Sequence, residues 1–413
     1  MLAQGKPAAG GSPDAVFAPL PFEAWLTQNE QAHIHWTARV ADVQLTNYQR
    51  LSTRIEIEVE GPELARRRGK GQFLMLVQFN DERGGIWQYH ESVDLAHVPE
   101  EIRHNDALYA QSFFLLPGEY RLAIAVYDTA TEEHSIIKRR LHVSPLKNDP
   151  LPAAWLGLPA VELIAEDAPP NNWYLPRAGR LRLAVEPQHP VEVDLMVNLT
   201  PSERLSGSNG ALDRNLSFLL PIFKVMSQVD WRNASLNVAL LDLAHHRVAF
   251  QQENVRRLEW RRARKSLVEI NPAIIDVESL EKRRQSAEFF LSEIGRRIGE
   301  PREAPLHVVI VLSSPVEFQA GQELNPIDLA ARSDFRVYYF RYQPQPQPVF
   351  AGRPIGRKGW AQTRRLPQRQ SFAPELDQLE PLLKPVDPHL YDVTTPEQVR
   401  RALAGMMAEI AKM

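Results

Sequence analysis

The chain has 413 residues, of which 44% are hydrophobic and 24% charged, a composition typical of globular proteins. Its net charge of −3 gives no reason to expect nucleic acid as a partner. Cysteine is absent, which excludes disulfides, thiolate metal sites, iron–sulfur clusters and cysteine nucleophiles. The sequence contains no apolar run of about 18 residues, so no membrane span is predicted. The length favours two domains over one.

Residues 1–30 are predicted to form a flexible N-terminal tail. The stretch MLAQGKPAAGGSPD lacks the basic and apolar regions of a full signal peptide. Its small residues before Gln4 are those of a mature N-terminus, whereas its Gly and Pro content also fits the disordered tail of a cytosolic protein. Both interpretations remain open at this point.

Residues 31–145 alternate between apolar and polar with the period of half-buried strands. In RIEIEVE the apolar side chains lie on one face, and Gly84-Gly85 marks a hairpin turn. Short strands separated by turn signals predict an all-β sandwich. The stretch PGEYRLAIAVYD resembles the late strands of immunoglobulin-like and fibronectin-like domains, which implies a corner hydrogen bond for Tyr120.

Residues 146–180 form a Pro-rich segment between the two predicted domains. It contains Trp155 and Trp173, which a simple spacer would not need. We therefore expect a linker that packs against one or both domains.

Residues 181–413 alternate between strand and helix patterns, which predicts a doubly wound α/β domain. Residues 308–312 are apolar on both faces, as in a central parallel strand. The closing stretch TTPEQVRRALAGMMAEI begins with a capping box, with Thr395 as N-cap and Pro396 at the first helical position. Sheets of this type bind ligands beyond the carboxyl ends of their strands.

MVNLTPSE ends the first strand of this domain and is therefore the first place to seek a site. Asn198, Thr200 and Ser202 alternate there, and each carries a side-chain oxygen. Ser313 follows the central strand LHVVIVLSSP. Oxygen ligands of this kind suit Mg²⁺, although neutral oxygens alone hold a dehydrated divalent ion poorly.

The order of VEVDLMVNLTPSE, NVALLDLAHHRVAF, LHVVIVLSSP and LYDVTTPEQVRRALAGMMAEI resembles a von Willebrand factor A-type domain. With a β-sandwich in front, the chain resembles the VWFA-related proteins of acidobacteria, many of them exported. The resemblance implies a secreted or periplasmic protein. The metal-ion-dependent adhesion site of that family begins Asp-x-Ser-x-Ser and adds a Thr and a further Asp. Here Asn198 and Ser313-Ser314 replace the carboxylates, so we expect a degenerate site without metal, and Mg²⁺ would require Glu203 or Glu317.

Two further stretches are candidate interaction surfaces. The loop 343–370 is long and rich in Pro, Gln and Arg, and it is interpreted either as a partner-binding loop or as a flexible one. The partner-binding candidates are Glu203, Glu317, Arg353, Arg357 and Trp360. RRLEWRRARK (256–265) is strongly basic and is interpreted as a solvated edge or loop, with binding of an acidic partner surface or of phosphate as the alternative.

Asp242 and the pair His245-His246 lie where a strand turns into its predicted hairpin partner. Adjacent histidines point to opposite sides of an extended chain, so the two are not expected to share a metal. We interpret these residues as a surface turn.

No motif of a known catalytic class stands out, so no catalytic residue and no cofactor are expected. The sequence predicts a non-enzymatic interaction or adhesion module that binds a protein at the loop end of the A-type domain. Two alternatives remain, namely Mg²⁺-dependent adhesion and a glycan-binding β-sandwich.

Overall fold

A computed structural model describes residues 15–27, 34–164, 179–200, 211–268, 283–299, 306–316, 335–342 and 377–413. Its α-helices are α1 (Phe22–Thr27), α2 (Gly61–Arg66), α3 (Ala211–Met226), α4 (Trp260–Val268), α5 (Arg283–Gly299), α6 (Leu379–Leu383) and α7 (Pro396–Ile410). The first nine strands are β1 (Trp36–Val40), β2 (Gln44–Leu45), β3 (Leu51–Val59), β4 (Gln72–Asp81), β5 (Ile86–Asp94), β6 (Ala107–Leu115), β7 (Gly118–Asp128), β8 (His134–Val143) and β9 (Val161–Leu163). The others are β10 (Ala184–Val185), β11 (Val191–Asn198), β12 (Asp230–Trp231), β13 (Ala234–Asp242), β14 (Arg247–Gln252), β15 (Leu306–Ser313), β16 (Phe335–Tyr342) and β17 (His389–Val393). Within these ranges no helix is long and apolar enough to cross a bilayer.

Two antiparallel sheets form the N-terminal part of the structure. One has the order β1-β3-β6-β9, with β2 added beside β3, and the other has the order β5-β4-β7-β8. Alternate residues of β3, among them Ile55 and Ile57, share a buried cluster with Phe73 and Val77 of β4. This inward face matches the alternation of the sequence, because successive side chains of a strand point to opposite faces.

The corner hydrogen bond expected for Tyr120 is present. The hydroxyl of Tyr120 donates to the carbonyl of Leu116 at 2.8 Å. Burial of the ring raises the pKa of Tyr120 to about 12. The second sheet is covered on its outer face by α1, whose Phe22 and Trp25 pack on Leu76.

A six-stranded sheet forms the C-terminal part, with the order β14-β13-β11-β15-β16-β17. Strand β14 is antiparallel to its neighbour, and every other pair is parallel. Leu195 of β11 belongs to a buried cluster shared with α3 and α7, whereas the next residue, Met196, belongs to a second cluster shared with α5 and α6. The helices therefore cover both faces of a mainly parallel sheet.

The last helix is capped as predicted. The hydroxyl of Thr395 accepts a hydrogen bond from the backbone N–H of Gln398, and the side chain of Gln398 accepts one from the N–H of Thr395. Helix α3 continues through Pro221, which removes one backbone donor from its interior.

Two stretches fold differently from their sequence patterns. Residues 180–186 (RLRLAVE) alternate between polar and apolar as a strand would, but only Ala184–Val185 is a strand. The basic stretch 256–265, interpreted as an edge or loop, enters helix α4 at Trp260 because Ala263 and Leu267 supply a buried face. The segment 146–180 contributes strand β9, which pairs with β6.

The sheets are held together by a junction around Trp155. Its ring is packed against both large clusters, and its indole N–H donates to the carbonyl of Gln49 at 2.7 Å. The side-chain amide of Gln49 donates to the carbonyl of Pro396 at 3.0 Å. Arg400, only 2% exposed, donates to both carboxylate oxygens of Asp149 at 2.6 and 2.8 Å and lies over the ring of Trp155. Trp173, the other tryptophan of the predicted linker, lies outside the described residues.

Candidate functional site

The carboxyl ends of the parallel strands meet at one edge of the six-stranded sheet. Strand order reverses between β11 and β15. Strands β13 and β14 lie on one side of β11, and β15, β16 and β17 lie on the other side. Open sheets with helices on both faces bind ligands in the crevice at such a reversal. Asn198 ends β11 and Ser313 ends β15, so both residues lie at this crevice.

The side chain of Asn198 spans the crevice. Its oxygen accepts the backbone N–H of Thr200 at 2.9 Å, and its amide nitrogen donates to the hydroxyl of Ser313 at 2.9 Å. The backbone N–H can only donate, which fixes the amide oxygen on that side and leaves the NH₂ group facing Ser313. Asn198 is 1% exposed, so this orientation is also protected from solvent.

The hydroxyls of Thr200 and Ser313 are both used by neighbouring backbone groups. Thr200 Oγ1 accepts the N–H of Leu243 at 2.9 Å, which joins the end of β11 to the turn after β13. Ser313 Oγ donates to the carbonyl of Ser314 at 2.6 Å. The structure thus brings together three of the four residues predicted for the degenerate metal site, and it locks them by hydrogen bonds.

Two buried carboxylates lie near this edge of the sheet, one at a strand end and one before a helix, and each has other partners. Asp242, at the end of β13, is 2% exposed and accepts His245 Nδ1 at 2.8 Å and Arg247 Nε at 3.1 Å. The surface turn predicted for Asp242 and its two histidines is therefore only partly exposed, with His245 on its outer side. The carboxylate of Asp242 is thus engaged by two side chains of its own hairpin, those of His245 and Arg247.

Asp377 is the second of these carboxylates, and it precedes α6. It accepts the backbone N–H groups of Val316 and Leu379, each at 3.2 Å, and the hydroxyl of Tyr339 at 2.9 Å. Burial raises the pKa of Asp377 above its ordinary value, while these hydrogen bonds and Arg341 oppose the shift. No sequence signal points to this residue, because it follows the long loop and no motif contains it.

The described residues of this corner do not fit a Mg²⁺ ion. The ion needs oxygen ligands and at least one carboxylate to offset its charge. Asn198 presents N–H groups to the crevice, and Asp242 is engaged by two cationic or donor side chains. Across the described ranges, no three His, Asp or Glu side chains gather in a way that could hold a metal.

Two buried polar atoms at this edge have no hydrogen-bond partner among the described residues. They are the side-chain oxygen of Asn215 and the hydroxyl of Ser314, in residues that are 0% and 1% exposed. Asn215 uses its amide nitrogen to bind the carbonyl of Leu199 at 2.8 Å. Between the ends of β11 and β15, the described residues therefore contribute neutral donors and acceptors.

A serine–histidine contact lies beside the same turn. His246 Nε2 is 3.0 Å from Ser286 Oγ, and Ser286 donates to the carbonyl of Leu243 at 2.9 Å. Because the hydroxyl proton is committed to a carbonyl, His246 acts as donor to the serine and not as its base. The contact anchors α5 to the hairpin turn.

A buried ionic triad crosses the sheet near its opposite end, and sequence reasoning missed it. Asp194 of β11 accepts Arg297 Nη1 and His307 Nε2, each at 2.7 Å, and the three residues are 0%, 3% and 4% exposed. The sequence did carry a signal for this triad, namely Asp194 within the apolar run VEVDLMVN. A charged side chain is seldom fully buried unless it is paired.

The other predicted site residues lie outside the described part of the chain. They are Ser202, Glu203, Glu317, Arg353, Arg357 and Trp360. The loop 343–370 lies outside it as well.

No protein-family model and no curated protein matches the chain. A solved structure described as Northeast Structural Genomics Consortium target SoR45 is similar at 11% identity, covering 29% of this chain and 96% of that one, with a TM-score of 0.18. The putative ApaA protein from Bordetella pertussis is similar at 10% identity over 28% of this chain and 97% of that one, with a TM-score of 0.18. A glycosyl hydrolase family 2 member from Bacteroides cellulosilyticus shares 6% identity over 68% of this chain and 37% of that one, also with a TM-score of 0.18. These similarities are too low to assign a fold family or a function.

Proposed function

We propose that the six-stranded sheet and its helices form a von Willebrand factor A-like domain preceded by an immunoglobulin-like sandwich. The strand order around β11, with one antiparallel edge strand, supports the first assignment. The corner hydrogen bond of Tyr120 supports the second. We propose domain limits of 31–145 and 181–413, with the preceding helix α1 packed on the sandwich and with 146–180 as a linker that contributes β9 to it.

This architecture is proposed to serve as a non-enzymatic protein-binding module of an exported bacterial protein, with the partner bound at the loop end of the six-stranded sheet. The observation that carries the proposal is the hydrogen bond between Asn198 and Ser313, which places neutral groups where a metal-dependent module needs carboxylates. A partner would then be recognised by shape and hydrogen bonding, without a bridging cation.

Site-specific photocrosslinking tests the position of the partner. A benzoylphenylalanine placed at His245 lies at the loop end, and the same group at His189 lies at the opposite end of the sheet, where the chain enters β11. Both histidines are exposed, so they form a matched pair. The full chain is exposed to an extract of the organism that encodes it, with and without chelator.

We expect a discrete crosslinked protein from position 245, not from position 189, and with equal yield in the presence of chelator. A crosslink of equal yield at both positions, or from 189 alone, would contradict the proposed surface. Loss of the 245 crosslink with chelator would contradict metal-free binding.

A further inference from the structure

The exposed face of helix α4, together with the loop before it, is densely basic. Six cationic side chains lie within residues 256–265, and all six are exposed: Arg256, Arg257, Arg261, Arg262, Arg264 and Lys265. Glu259 is the one acidic residue among them, and it lies 3.8 Å from Arg262. We name these six side chains the α4 basic face. The chain as a whole has a net charge of −3, so the residues beyond this face are acidic on balance.

The α4 basic face is held rigidly. Val255 and Leu258 anchor the loop in the core, and the N–H of Val255 donates to the carbonyl of Leu236 at 2.6 Å. Gln252 binds the loop at both ends of its side chain, donating to the carbonyl of Arg257 at 3.1 Å and accepting the N–H of Glu259 at 2.9 Å. The backbone that carries the cations is thus anchored on the core, which lowers the entropic cost of binding.

The cations of this face lack acidic partners, in contrast to several more buried arginines of the described ranges. Arg67 is paired with Asp128, Arg341 with Asp392 and Arg400 with Asp149. Five of the six α4 cations form no ion pair with any described residue, and Arg262 has only the long contact to Glu259. A set of like charges left together is unfavourable in the isolated chain and favourable once an anion is bound.

The chemistry of the face selects among anionic partners. Membrane-surface helices insert an apolar side, but the apolar side of α4, with Trp260 and Leu267, is already packed in the core. Single-stranded nucleic acids stack on exposed aromatic rings, and Trp260 instead packs against Phe223 with ring centroids 5.2 Å apart. Arginine, which forms five of the six cations, binds carboxylates through paired hydrogen bonds.

We propose that the α4 basic face is a docking surface for an acidic polypeptide segment of a partner protein. The α4 helix has nine residues and is about 14 Å long, which suits a short segment rather than a long polyanion repelled by the rest of the surface. This face lies apart from the loop end, because its loop starts beside Leu236 near the beginning of β13. The proposal therefore stands whether or not a partner binds at Asn198.

The test is direct binding of a fluorescein-labelled oligo-glutamate peptide to the full chain, followed by fluorescence anisotropy. The variant Arg257→Gln/Arg261→Gln/Arg264→Gln removes three charges from the face. The matched control, Arg121→Gln/Arg139→Gln/Arg140→Gln, removes three exposed arginine charges from β7 and β8. Circular dichroism shows whether each variant is folded, and a second α4 variant, Arg256→Gln/Arg262→Gln/Lys265→Gln, replaces the first should it unfold.

We expect the α4 variant to weaken peptide binding at least about tenfold, and the control to weaken it less than about twofold. Binding should also weaken as salt is raised, because exposed charges are screened. Equal losses in the two variants would overturn the proposal. So would tighter α4-dependent binding to phosphatidylglycerol vesicles or to a single-stranded oligonucleotide than to the peptide.

Discussion

The amide nitrogen of Asn198 lies 2.9 Å from the hydroxyl of Ser313, although the two residues are 115 positions apart in the chain. Both are buried, and each ends one of the two strands at which the order of the six-stranded sheet reverses. The contact therefore closes the crevice in which sheets of this kind bind ligands. It also places a neutral amide and a hydroxyl, in place of carboxylates, at the ends of β11 and β15.

Replacing Asn198 with Ala should destabilise the chain by about 1–3 kcal/mol, since the buried N–H of Thr200 and the hydroxyl of Ser313 lose a partner. Urea unfolding measures the change in free energy. In a double-mutant cycle with Ser313→Ala, we expect a coupling of about 1 kcal/mol. Strictly additive effects would show that the two side chains do not interact.

Carboxylates added at this corner should create a metal site. The double variant Asn198→Asp/Ser314→Asp places carboxylates at both positions where the resembled family carries them. Two buried carboxylates should lower the melting temperature in chelator, and Mn²⁺ should raise it again because an ion that binds only the folded state stabilises it. The single variants are the controls. A double variant whose melting temperature does not change with Mn²⁺ would argue against this placement of the site.

The junction should depend on the buried pair of Arg400 and Asp149. Arg400→Ala leaves the carboxylate of Asp149 without its arginine and opens a space over the ring of Trp155. The substitution should lower the free energy of unfolding by about 3 kcal/mol. Arg401 is the matched control, because it is the next residue of the same helix and is exposed. Arg401→Ala should cost less than about 0.5 kcal/mol. Similar costs for both substitutions would mean that the junction does not use this pair.

The burial of Lys224 predicts that the free energy of unfolding depends on pH. Burial lowers the pKa of Lys224 from 10.5 to about 8, and Tyr48 lies beneath its ammonium group. Between these two values the unfolded chain binds more protons than the folded chain, so the free energy of unfolding rises with pH in this window. Below the window the charged lysine costs about 3 kcal/mol.

Lys224→Met removes this pH dependence. The difference in unfolding free energy between the parent chain and the variant should therefore change as pH rises from about 8 to 10.5, in favour of the parent. Lys412→Met, at an exposed position, is the control and should show no such trend. A difference that stays constant across the window would mean that the pKa of Lys224 is ordinary.

Local pattern predicted much of this fold. Alternation located β3 and β7, the Gly84-Gly85 turn located the hairpin of β4 and β5, and the capping residues located the start of α7. Helix α4 was harder to predict, because the charges of the stretch 256–265 obscured the helical spacing of its buried residues Ala263 and Leu267. Asn198, Thr200 and Ser313 could be selected because they lie at strand ends. The triad of Asp194, Arg297 and His307 could not be assembled, since its members meet only after β11, α5 and β15 have packed.

We proposed that the loop end of the six-stranded sheet binds its partner without a metal ion. A calorimetric titration of Mn²⁺ into the full parent chain tests this proposal most directly. We expect no saturable binding, because a buried neutral amide, that of Asn198, occupies the position at which a metal ion would need a carboxylate. Saturable micromolar binding that is lost in Asn198→Ala would contradict this expectation.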